Sequence, residues 1–257
     1  MNSLPQGKVD LTALSSSVGL ITFSHPKSNC LPKILLKKLT SAVEELSLNE
    51  DIKVIGIQSE GTKAFCAGAS FDEFLAIKDS KSAEEFFSGF ANLISAIISS
   101  PKIVVVKVQG KVVGGGVGIV AACDYALAYK EASFKLSELA LGIAPFIISA
   151  VLERKIGKAH FNYSALDTEW RSAHWAYEKG LYSKILDTLD ETEKEFKEML
   201  AFLSTCNTSA LKELKREVFY HNLEDVKQII QNRVKLTARL ACTDFAKEKV
   251  ASFKNKS

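Results

Sequence analysis

Histidine is scarce in this chain of 257 residues, and nothing in the sequence announces a metal or disulfide framework. His25, His160, His174 and His221 have no ligand spacing with one another or with cysteine, so no metal site is expected. The five cysteines, at positions 30, 66, 123, 206 and 242, are odd in number and include no Cys-x-x-Cys pair, which reads as reduced thiols. Charge of one sign is also missing. Thirty-three basic and thirty acidic residues lie interspersed and leave a net charge of +3, which excludes an electrostatic footprint for nucleic acid. A long apolar run is lacking too: Val112 to Ala128 is interrupted by four glycines and Asp124, so no membrane span is expected. The first residues show neither a basic segment followed by an apolar one nor an Arg-rich pattern, and a cytoplasmic location is the expectation. Apolar content of 47% against 25% charge is that of an ordinary globular chain able to bury a large core.

Glycine is concentrated where it can do chemistry. Gly114, Gly115 and Gly116 follow the apolar run Ile103 to Val108 and precede the small apolar stretch Val117 to Cys123. Three residues without Cβ atoms let a ligand or another backbone come close. A buried helix starting there aims its unpaired N–H groups and the positive end of its dipole at the turn, which outlines an anion or oxyanion site. The spacing matches neither the phosphate-binding Gly-x-x-x-x-Gly-Lys-Ser/Thr nor the dinucleotide Gly-x-Gly-x-x-Gly.

Around this stretch the pattern alternates. Val9 to Leu14 and Val18 to Phe23, split by a serine turn, predict a β-hairpin. Leu35, Leu36, Leu39, Val43 and Leu46 predict an amphipathic helix over 33–48, opened by Pro32. A strand is expected at Ile52 to Gln58 and a helix at Ser82 to Ser99, whose phenylalanines read as core. Strands follow at Ile103 to Val108, Tyr125 to Ala128 and Ser133 to Lys135, giving a coiled series of ββα-like units. Beyond Gly157 helices alone are expected, over 170–179, 191–203, 209–219, 223–240 and 243–253, with a short extended link at Tyr182 to Leu186.

Four segments in register carry a resemblance. Lys63-Ala-Phe-Cys-Ala-Gly-Ala69, Val108-Gln-Gly110 with Gly114-Gly-Gly116, Ala122-Cys-Asp124, and Ala132-Ser-Phe-Lys-Leu-Ser-Glu138 with Leu141-Gly-Ile143 resemble the crotonase (enoyl-CoA hydratase/isomerase) superfamily. The resemblance spans roughly residues 9 to 190. It implies an α/β fold: a crotonase-like ββα spiral with an acyl-CoA site over residues 1–190, then a C-terminal α-helical region over 191–257 that covers the active site and a trimer interface. It also implies a homotrimer or dimer of trimers, an acyl-CoA substrate and no separate cofactor, coenzyme A being part of the substrate.

Residue by residue, the resemblance puts the two oxyanion-hole amides at Ala69 and Gly115 and the catalytic carboxylate at Glu138. Ala67, Gly114 and Gly118 fall beside them. Lys27, Ser28, Lys63 and Lys254 match positions near the coenzyme A. Backbone donors fixed at a developing enolate oxygen stabilise it by several kcal/mol, which is the reason such chemistry wants Gly115 at a helix start. Glu138, between Leu136, Leu139, Leu141 and Ile143, is expected in apolar surroundings that raise a carboxyl pKa toward the range useful for proton transfer. The family's hydratases commonly carry a second glutamate, and its position here is Gly118. Pro145-Phe-Ile-Ile-Ser149 stands where the family has a glycine loop, so a bulkier wall is expected at the acyl end. The expectation is a hydro-lyase acting on a short or branched acyl thioester. Δ3-Δ2-enoyl-CoA isomerisation and a non-catalytic acyl-CoA-binding subunit are the alternatives.

Overall fold

The computed structural model describes residues 6–254; the expected boundaries at residues 1 and 257 lie outside them. Two sheets form, and their order follows from the repeated strand, turn and helix. The larger contains β1 (Lys8–Ser15), β2 (Val18–Ser24), β3 (Val54–Ser59), β5 (Ile103–Val108), β7 (Tyr125–Tyr129) and β10 (Lys184–Leu186), in that order. Only the β1–β2 hairpin is antiparallel within it. The smaller sheet is β4 (Ala64–Cys66), β6 (Lys111–Val113), β8 (Ser133–Lys135) and β9 (Arg171–Ser172).

A parallel sheet covered on both faces needs apolar side chains at every position. In β5, Val104, Val106 and Val108 enter the main core with the helices α1 (Lys33–Leu48) and α3 (Ser80–Ser99), while Ile103 and Val105 face the other way. There they meet Phe196 and Leu200 of α7 (Leu189–Thr205), whose start is fixed by a capping box between Thr188 and Glu191. Between sheets and tail lie α2 (Phe71–Leu75), α4 (Gly115–Ala122), α5 (Phe146–Asp167) and α6 (Ala173–Glu178); α8 (Thr208–Glu213), α9 (Leu223–Ala241) and α10 (Asp244–Lys254) complete the chain.

Four expectations are corrected. The helical part of the chain starts before Gly157: α5 begins at Phe146 behind Pro145, so the bulky residues expected there are helical, and it runs to Asp167 with non-helical angles at Gly157 (φ 75°, ψ 157°). The helix foreseen over 170–179 begins only at Ala173, because Arg171 and Ser172 pair with β8 and the Ser172 hydroxyl caps the Trp175 N–H at 3.2 Å. The stretch after Gly110 is strand as well as turn, since Lys111–Val113 pairs with both β4 and β8. The helix foreseen over 209–219 divides into α8 and a π-helical turn, Leu214–Phe219. Among the described residues no helix is long and apolar enough to cross a membrane.

Candidate active site

The site is assembled from four turns. The first joins β4 to α2: Gly68 has φ 84°, and a Cβ there would sit 3.0 Å from the Val113 oxygen, so this turn packs directly on the strand leading to α4. The early loop braces it from behind. Ala67 N–H donates to the Ser28 carbonyl (3.1 Å) and Leu31 N–H to the Gly68 carbonyl (2.8 Å). Asn29 holds that loop, its Oδ1 accepting from His25 N–H and its amide nitrogen donating to the Glu60 and Ala64 carbonyls, each at 2.9 Å.

The second turn is Gly114, at φ 52° and ψ −120°, a conformation closed to L side chains. A Cβ on it would also come within 3.1 Å of Glu138 Oε1, so glycine is needed here twice over. Gly115 follows as the first residue of α4. Among the described residues, neither the Ala69 nor the Gly115 N–H donates a hydrogen bond within the chain. Both residues line one cavity of about 610 Å³, counted to its mouth.

Glu138 enters that cavity from the third turn. Its own carbonyl accepts from Leu141 (3.1 Å) and Ile143 (3.0 Å), winding the short 3₁₀ turn Leu139–Leu141 about it. Glycine closes the wind: Gly142 (φ 79°) lies so close under Phe245 and Ala246 of α10 that a Cβ would meet their atoms at 2.7 and 3.0 Å. Glu138 is 9% exposed as a residue, and its Oε2 is buried with no hydrogen-bond partner. Burial pushes its pKa up to about 7, against weaker support for the carboxylate from the Glu138 and Ser137 N–H groups. A carboxyl poised near neutrality can both take and return a proton. The remaining lining is apolar apart from Ser137 and Thr237, with Phe71, Phe74, Phe87, Phe90 and Phe146 the largest members. The fourth turn, Ala144 to Phe146, completes the lining.

Ala67, Ala69, Gly114, Gly115 and Glu138 thus meet in one cavity. Gly118 does not join them. It lies one turn along α4 beneath α5, where a Cβ would be 2.4 Å from Ile148 Cγ2 and 3.0 Å from Ile94 Cδ1, so its lack of a side chain serves helix packing. Lys27, Ser28, Lys63 and Lys254 lie outside the cavity lining. Lys27 and Lys254 share a partner that sequence reasoning missed: Asp72 takes Lys27 on Oδ2 (2.5 Å) and Lys254 on Oδ1 (2.6 Å). The two lysines hold the Asp72 carboxyl below the usual carboxylate range, chiefly through the hydrogen bond from Lys254. Lys63 is exposed at the start of β4. Asn29 and Thr237 also went unread; only the breaker-rich run around Asn29 hinted at a built loop. No group of three or more candidate metal ligands occurs among the described residues.

Comparison with known proteins agrees with this geometry. The enoyl-CoA hydratase/isomerase family matches residues 13–257. A protein described as a probable enoyl-CoA hydratase from Bacillus subtilis is 30% identical over 148 residues, 57% of this chain and 57% of its own. The bacillaene synthase dehydratase PksH of the same organism is 33% identical over 168 residues, 65% of this chain and 64% of its own. The matched stretches thus span less than two thirds of these relatives' lengths. The crystal structure of an enoyl-CoA hydratase from Bacillus halodurans superposes with a TM-score of 0.89 at 22% identity, covering 95% of this chain and 99% of that one. The fold is the crotonase fold, two sheets followed by C-terminal helices. The chain belongs to the enoyl-CoA hydratase/isomerase superfamily.

Proposed function

We propose that the protein is a hydro-lyase that adds water to, or removes it from, a short or branched enoyl thioester of coenzyme A. One observation carries this reading: a buried carboxyl with a free oxygen shares an apolar cavity with two backbone N–H groups that have no acceptor of their own. The thioester carbonyl binds between Ala69 and Gly115. Ionised Glu138 takes a proton from water as the hydroxide adds to the β-carbon, and the electron pair of the alkene moves onto the carbonyl oxygen. Glu138 then returns that proton to the α-carbon as the enolate collapses. The two amides act where charge develops, which is the largest single contribution to most catalysis of this kind. The names of the two Bacillus subtilis relatives, a hydratase and a dehydratase, support the same direction.

A second reading rests on its own observation. Glu138 is the only carboxylate lining the cavity among the described residues, and a single base suffices to move a proton from C2 to C4 of a 3-enoyl thioester. Crotonyl-CoA, 3-methylglutaconyl-CoA and a 3-enoyl-CoA, each incubated with purified protein and resolved by mass, separate the readings. Gain of water is hydration; unchanged mass with a shifted double bond is isomerisation. No conversion of any of them, with coenzyme A thioesters still bound, leaves a non-catalytic binder.

A further inference from the structure

Two hollows meet at the start of α5. Ala144, Pro145 and Phe146 line the cavity holding Glu138 and also a second, open groove. Apart from these three residues the groove is lined on one side by Leu139, Phe161 and Leu166 and on its polar side by Glu153, Asn162 and Arg233.

The backbone of the wall is fixed. Ser149 Oγ donates to the Phe146 carbonyl and accepts from the Arg233 guanidinium at 2.7 Å, while Ser149 N–H donates to Pro145 (3.1 Å) and Phe146 N–H to Ala144 (2.8 Å). None of these bonds involves the Phe146 ring. Phe146 is half-buried, stands outside the buried core and lines both hollows.

We propose that Phe146 is the specificity-determining residue that ends the acyl site. It confines the protein to short acyl groups, and removing its ring joins the cavity to the apolar side of the groove and admits longer hydrocarbon chains. This rests on the acyl-thioester reading above but not on the direction of the chemistry.

Calorimetric titration of saturated butyryl-, octanoyl- and dodecanoyl-CoA into wild type, Phe146→Ala and Phe146→Leu tests it without any turnover. Each buried methylene is worth about fourfold in affinity. Wild-type affinity is expected to stop rising beyond octanoyl-CoA. Phe146→Ala should bind dodecanoyl-CoA at least about tenfold tighter than wild type and butyryl-CoA within about twofold of it, with Phe146→Leu between. The same length profile in all three proteins overturns the proposal, as does an equal gain for every chain length. Should the alanine variant not fold, the leucine variant alone decides by the same criterion. A length-dependent shift with no product in the mass assay would retain the wall and sink the hydro-lyase reading; products formed with an unshifted profile would do the reverse.

Discussion

At the scale of single residues, the proposed chemistry rests on one carboxyl and two amides. Glu138→Gln keeps the shape and removes proton transfer, so turnover should fall by about two to four orders of magnitude with the fold intact. A near-normal rate would take Glu138 out of the mechanism. The same variant has a stability signature. A carboxyl whose pKa rises from 4.5 unfolded to about 7 folded binds more protons in the native state between those values, so wild-type stability declines as pH rises through that window. Glutamine carries no such penalty. Glu138→Gln should therefore gain on wild type above pH 7 by up to about 3 kcal/mol, at about 1.4 kcal/mol per pKa unit, and the gain should vanish below pH 4.5. Denaturant unfolding at the two pH extremes measures it. The amides respond to geometry instead. Gly115→Val places a Cβ 2.3 Å from the Phe90 ring and should cost at least about two to three orders of magnitude in turnover, the cost of one lost oxyanion donor. Cys66, fully buried with its thiol pushed up to about 12, is inert at neutral pH, and Cys66→Ala should keep the chemistry. Equal loss in the two variants would give the thiol a catalytic part and defeat the enolate scheme.

At the scale of elements, the contact between α4 and α5 decides whether a second carboxylate can be installed. Gly118 matches the position of a family glutamate, yet in this chain Ile148 of α5 occupies the space a side chain would need. Gly118→Glu should therefore destabilise rather than raise hydration, and pairing it with Ile148→Ala should recover part of the loss in a thermal melt. If the single variant melts with wild type and hydrates faster, the packing account is wrong. What the sequence could and could not disclose divides along the same line. Elements with long periodicity were legible: α1 matches its expected limits of 33–48, and β5 its limits of 103–108. The three-residue strands β4 and β6 were not, because a pairing with partners far along the chain leaves no local period, and Arg171–Ser172 read as helix for the same reason. The turns lining the candidate site were legible through their glycines and Glu138, whereas the role of Gly118 was not, since it depends on α5, whose first part lies before Gly157, where no helix was expected. The π-helical turn hid another contact. It delivers Lys215 into the interior, where the ammonium donates to Asp124 Oδ2 (2.7 Å) and to the Ile97 and Lys102 carbonyls (3.0 and 2.9 Å). Both side chains are within 3% of complete burial. Lys215→Met strands the Asp124 charge and should cost about 3–5 kcal/mol in urea unfolding, with Lys215→Met/Asp124→Asn recovering a share of it. A loss below about 1 kcal/mol would show the pair to be dispensable.

At the scale of the whole molecule, the helical tail closes over its own site before it offers anything to a neighbour. Phe245 and Ala246 lie against Gly142 in the Glu138 loop, Lys254 reaches Asp72 beside α2, and Thr237 of α9 lines the cavity. Much of the tail's apolar surface is used in the same way. Phe196, Leu200 and Val234 are buried within the chain, and Leu203 and Leu211 pack beneath the large sheet. The case for assembly therefore narrows to the apolar residues left exposed, among them Leu214, Val218 and Phe219 on the π-helical turn, Ile229 and Leu236 on α9 and Phe202 on α7. Val218 and Phe202 are 62% and 61% exposed, far more than a large side chain in a folded core retains. Exposed apolar residues close in sequence mark an association surface more often than single scattered ones do. We expect a trimer or a dimer of trimers, read by multi-angle light scattering at micromolar concentration. Val218→Asp, on a side chain with no part in the core, should shift that mass toward the monomer while leaving the melting of the monomer fold unchanged. A wild type that already runs as a monomer removes the expectation, and the uncovered residues are then ordinary surface; an unchanged oligomer in Val218→Asp places the interface elsewhere, away from the π-helical turn.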